Sequence, residues 1–231
     1  LVFWSHPESR YASKGTRIGP ITLRTPPYPE ALLQSTDYTG FAALYGDTTA
    51  AELPGRQWDQ ALMAYCRGDR NRPVWVIAES DFHGTKGEAP LNTFQTVFWV
   101  ENKSSEAVLE ALAKGRTYAV RKGSQCPRMI LKQFVMAAND SNVEGASGAE
   151  IETERSVTLS IELGIVDESD QPVLLEIIKN GSIWKKLESN TPVRCRFVDE
   201  SLDKGMSYYR LSARSPRCGR LLSNPIFVKK Y

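Results

Sequence analysis

The chain has 231 residues, 41% of them hydrophobic, 24% charged and 10% aromatic, which is the composition of a globular protein with a real core, not of a disordered or fibrous one. The formal net charge is +2, with Lys and Arg scattered in ones and twos, so the clustered basic footprint of a nucleic-acid-binding surface is lacking. No apolar run approaches the ~18 residues of a membrane-spanning helix, which sets membrane insertion aside as well.

The chain opens on "LVFWSH" (residues 1–6), a short and almost wholly apolar strand of the doubly buried kind. A core strand at the very start leads us to expect that something precedes it, and that this is the C-terminal portion of a longer protein. No signal-peptide pattern is present, and the compartment cannot be read. A long segment rich in Pro, Gly, Ser and Thr follows, ending in "RTPPYPE". Loops of this length in compact domains are functional or disordered; "RTPPYPE" is read first as a poorly ordered loop, with a lid over a site as the alternative.

"TGFAALYG" (39–46) is a short apolar piece closed by Gly46. "RQWDQALMAYCRGDR" (56–70) puts Trp58, Leu62, Met63 and Tyr65 at helical spacing and stops at Gly68. "PVWVIAESDFHGT" (73–85) is a second buried strand, and "NTFQTVFWV" (92–100) a third. The stretch from Ser104 to Gly115 is the clearest helix, with a serine N-cap, Glu106 in its first turn, and Lys114 and Gly115 closing it. Apolar strands alternating with helices predict a parallel α/β architecture for residues 1–125.

From about residue 126 to 231 the texture changes to strands without helices: seven short runs, with Asn180-Gly181 as a strong hairpin signal between two of them. This predicts an all-β, immunoglobulin-like sandwich. "EGASGAE" (144–150) reads as a flexible turn. The four cysteines show no metal-site spacing. Cys195 and Cys218, on neighbouring strand candidates, are the pair that an oxidising compartment could join.

The chemistry concentrates at strand ends. Asp81 and His83 are two residues apart, and in an extended segment such residues point the same way. They can therefore offer an oxygen and a nitrogen to one divalent ion of the Zn, Mn or Fe type. The chain has only one other histidine, His6, and it too follows an apolar strand. Ligands and catalytic groups collect at the C-terminal ends of parallel strands, so His6, Asp81 and His83 are expected to converge on one mouth. Glu79 shares the direction of Asp81 and can orient a ligand.

"FWSHPE", "YTGFAALYG", "RPVWVIAESDFHG" and "AVLEALAKGRTYA" together resemble the later half of the PHP (polymerase and histidinol phosphatase) family, in its predicted-phosphoesterase branch, over residues 1 to 121. The resemblance implies part of a distorted β/α barrel carrying divalent metal ions, with His6, Asp81 and His83 as ligands and Asp81 and His83 at the reacting centre. The implied activity is hydrolysis of a small-molecule phosphate ester or phosphodiester by metal-activated water. The family's opening His-x-His, its early Asp and His, and its middle Glu are absent, so the chain alone is expected to be inactive and the missing ligands to lie upstream. A non-catalytic binding or scaffold protein acting through its β-sandwich is the alternative. An amidohydrolase-like metal enzyme is a third reading, because metal ligands alone do not fix the scissile bond.

Overall fold

The computed structural model describes residues 1–8, 15–24, 26–46, 49–82 and 91–231. In chain order its elements are β1 (Phe3–Trp4), β2 (Thr16–Ile18), β3 (Ile21–Leu23), α1 (Ala31–Gln34), β4 (Gly40–Leu44), α2 (Gln57–Cys66), β5 (Trp75–Ala78), β6 (Phe94–Phe98), α3 (Ser105–Lys114) and β7 (Thr117–Lys122). The strands then continue as β8 (Met129–Ala138), β9 (Glu144–Ala146), β10 (Glu150–Thr153), β11 (Val157–Ile165), β12 (Pro172–Lys179), β13 (Ser182–Asn190), β14 (Val193–Asp199), β15 (Gly205–Ser215), β16 (Gly219–Ser223) and β17 (Ile226–Lys230).

Both ten-residue helices form where spacing and capping place them. Ser104 Oγ accepts from Ala107 N at the start of α3, and Gly115 closes it at φ 68°. A β-carbon at Gly115 would stand 2.5 Å from the Trp75 indole, so glycine is required there for packing as well as for its backbone angle. The predicted hairpin is also present: Asn180 (φ 50°) and Gly181 (φ 84°) join β12 to β13, the two consecutive positive angles of a type I′ turn.

The expected partial β/α barrel is not what forms. The described residues are 46% strand and 11% helix, in several sheets with no barrel. Among the described residues of the first half, parallel pairing is confined to β1, β4 and β5, in a three-stranded sheet; further along, β10 and β17 also pair in parallel. Strands β6 and β7 turn antiparallel and join the sheet that also holds β16, β15, β17, β10 and β12–β13.

The edge of β5 where a barrel would add its next strand is finished by side chains instead. Asn224 Oδ1 accepts from Val76 N at 2.8 Å, and its Nδ2 donates to Val76 O and to both Thr117 oxygens. Thr96 Oγ1 accepts from Ala78 N and donates to Ala78 O. An amide and a hydroxyl thus stand in for a neighbouring strand and satisfy buried backbone groups.

The eight-stranded sheet is a wall between two cores. Tyr118, Val120, Tyr209, Leu211, Leu221 and Ile226 face one core, with β8, β11 and β14 of the opposite four-stranded sheet. Ala119, Tyr208, Leu222 and Phe227, alternating with them, face the other, which holds Phe41, Trp58, Leu62 and Val76. Both faces of β7 are covered from Thr117 to Val120, and a strand covered on both faces carries the same apolar signature whether its neighbours run parallel or antiparallel. The two sheets of the C-terminal half make the expected β-sandwich.

The disulfide is Cys126–Cys218, with Cα atoms 5.0 Å apart across 92 residues, while Cys195 and Cys66 are free thiols. Cys195 and Cys218, the pair that could have joined, do not, because Cys195 lies on β14 and Cys218 leads into β16, in different sheets. "EGASGAE" is likewise no flexible turn: it forms β9, a turn and the start of β10, with Gly148 N donating to Pro225 O.

Candidate functional site at the ends of the parallel strands

Strands β1, β4 and β5 run side by side in the order β1-β4-β5, so the residues that follow them gather at one edge of the sheet. His6 follows β1, Tyr45 follows β4, and Glu79 and Asp81 follow β5. His6 (φ 29°) and Asp81 (φ 47°) both hold left-handed backbone, a conformation that costs non-glycine residues of order 1–3 kcal/mol and collects at functional sites. In each case the chain leaves the sheet abruptly, and the two side chains meet: His6 Nε2 lies 3.7 Å from Asp81 Oδ2. Both remain open to solvent, at 35% and 53% side-chain exposure.

A carboxylate sets the position of His6. Glu79 Oε1 accepts from the His6 backbone N–H at 2.9 Å and from Ser5 Oγ at 2.8 Å. The edge of the imidazole stands against the Tyr45 ring, with centroids 6.0 Å apart. Tyr45 Oη accepts from Glu8 N, and the Glu8 carboxylate accepts from Ala50 N and Ala51 N at about 3 Å. Tyr28 of "RTPPYPE" is tied to this edge: its N donates to Pro7 O, and its Oη donates to Ser5 O. Burial, and then the nearby Glu79 charge, raise the Tyr28 phenol above its ordinary value, so it serves as a donor throughout the neutral range.

The structure therefore brings together His6 and Asp81, with Glu79 beside them as the group that fixes His6. His83 lies outside the described residues. Among the described residues no group of three or more His, Cys, Asp or Glu side chains is arranged to hold a metal ion. The donors present are nonetheless of the right kind. Two ligands sharing one ion at about 2.0–2.2 Å stand roughly 3.0–3.5 Å apart. The His6–Asp81 separation exceeds that by only a few tenths of an ångström.

Tyr45, Glu8 and Tyr28 were missed by the sequence reading. Tyr45 had a signal, because it closes an apolar run just as His6 does. Glu8 and Tyr28 had none, since their roles depend on chain segments about 40 and 20 residues away. Arg70 is 6% exposed and donates to Ser35 O and Thr36 O. It holds the chain between α1 and β4.

No family model matches the chain, and no curated protein matches it. Among solved structures, the crystal structure of an engineered protein is similar to it at 11% identity with a TM-score of 0.27. That match covers 82% of this chain, which spans 41% of the other, and a superposition this poor supports no inference about fold or function. No helix among the described residues is long and apolar enough to cross a membrane.

Proposed function

We propose that the edge formed by His6 and Asp81 is this chain's contribution to a divalent-metal phosphoesterase centre, acting on a small phosphate ester or phosphodiester. The supporting observation is the approach of His6 Nε2 to Asp81 Oδ2 at 3.7 Å, from two strands separated by β4. His6 and Asp81 would hold the ion, with His83 as a third ligand. A divalent ion of the Zn, Mn or Fe type supplies an acidified water and neutralises phosphoryl charge.

The chain's own residues prepare that edge. Asp81 contributes the anionic oxygen. Glu79 acts as a positioning residue, because its bonds to Ser5 Oγ and His6 N set where the imidazole stands. Tyr45 limits the ring from the other side.

The test is calorimetric titration of Zn²⁺ and Mn²⁺ into the 231-residue protein and into His6→Ala, Asp81→Ala and His83→Ala. We expect saturable binding by the parent, weakened about tenfold or more by each variant. A folded parent that takes up neither ion would sink the metal-centre reading.

A further inference from the structure

We propose a second ligand site: a groove built on a row of three arginines, Arg121, Arg220 and Arg214, that binds a multiply charged phosphate group. The row follows from strand register. Arg220 on β16 is directly opposite Arg121 on β7 and directly opposite Arg214 on β15, so all three side chains leave the same face. Like charges directly across from one another are unfavourable in a sheet. Such a row is tolerated where counter-charge is supplied.

The chain supplies only part of it. Arg220 Nη1 pairs with Glu52 at 2.5 Å, and Arg214 Nη2 with Glu176 at 3.3 Å. Arg121 has no carboxylate partner among the described residues; its guanidinium lies 5.8 Å from the centre of the Phe94 ring. Lys122, the next residue along β7, alternates to the opposite face and is not part of the row. Two carboxylates against three guanidinium groups leave an excess of one positive charge. The Nε atoms of Arg214 and Arg220 are buried and have no hydrogen-bond partner among the described residues. Buried donors of that kind are costly unless something accepts from them. Burial lowers the Arg220 pKa; Glu52 opposes that fall, while Arg214 and Arg210 add to it. Crowding of positive charge is therefore felt within the cluster.

The three arginines line one groove of 700 Å³, whose wall also includes Lys122, Thr93 and Ser124. Neighbouring strands are about 4.8 Å apart, so the row from Arg121 to Arg214 spans roughly 10 Å. That length suits an anion whose charge is spread over two groups, such as a diphosphate. Guanidinium groups match phosphate oxygens as paired donors.

The inference does not depend on the metal-centre reading, because the groove shares no residue with it.

The test titrates sodium pyrophosphate into the 231-residue protein at low ionic strength, with citrate as a carboxylate of comparable charge. The parent is expected to bind pyrophosphate saturably and more tightly than citrate, with affinity falling as salt is added. Arg121→Gln, at an exposed position, is expected to weaken binding about tenfold with an unchanged thermal melt, and Lys122→Gln to weaken it less. Asp81→Asn should bind as the parent does, which separates this groove from the strand-end site. Absence of saturable binding, equal binding by Arg121→Gln, or citrate binding as tightly as pyrophosphate would each overturn the proposal.

Discussion

Two side-chain pairs of this molecule show opposite uses of a carboxylate and a nitrogen base. Asp59 on α2 and Arg210 on β15 are 1% and 0% exposed, joined by two bonds of 2.6 and 2.7 Å, with Tyr208 Oη and Glu52 O completing the arrangement. The guanidinium also lies 4.4 Å from the Trp58 ring centroid. His6 and Asp81, by contrast, meet at 3.7 Å in solvent. The buried pair fastens α2 to the sheet. The open pair keeps donor atoms where a ligand can reach them, and it sits on backbone angles that contribute nothing to stability.

The sharpest way to test that contrast is to break the buried pair. Asp59→Ala leaves the Arg210 charge buried without its carboxylate and should cost about 3–5 kcal/mol in urea denaturation. The double variant Asp59→Ala/Arg210→Met should recover much of the loss. A single variant as stable as the parent would show that the pair does not fasten the helix. Next in size is the Cys126–Cys218 crosslink, which closes a 92-residue separation. Reduction, or Cys126→Ala, should cost about 2–4 kcal/mol by the same measurement.

The third prediction concerns acid. Asp199 is buried, which by itself raises its pKa, but bonds from Lys179, Tyr209 and Ser201 outweigh burial and hold it below the ordinary carboxylate value. A depressed folded pKa means stability that is full above the unfolded value of about 3.9 and lost as pH falls through the folded one. Asp199→Asn should therefore lower the urea midpoint at neutral pH and flatten its decline below pH ~4. An undiminished acid slope in that variant would remove Asp199 from the account. The smallest effect belongs to the open pair: Asp81→Asn should change stability by no more than about 0.5 kcal/mol. A loss comparable to that of Asp59→Ala would mean the strand-end site is structural after all.

Local signals in the sequence were reliable where they named a backbone requirement. Ser104 and Gly115 bound α3, the stripe from Trp58 to Tyr65 marks α2, and Asn180-Gly181 makes its hairpin, because capping and positive backbone angles are properties of a few adjacent residues. The strand-end positions of His6 and Asp81 were equally legible, since each closes an apolar run.

The partnership of those strands was not legible. An apolar run states that both faces are covered without saying by what: the run at 92–100 reads as a further strand of a parallel sheet, yet β6 pairs antiparallel with β7 in the wall between two cores. The edge of β5 is closed by Asn224, 148 residues further along the chain, and the arginine row exists only through the register of three strands. The sequence by itself determined which residues form elements and where chemistry-bearing side chains leave them. Tertiary structure alone decided which elements pair, how charges align across them and which cysteines join, because those outcomes depend on distances between segments that no local pattern encodes.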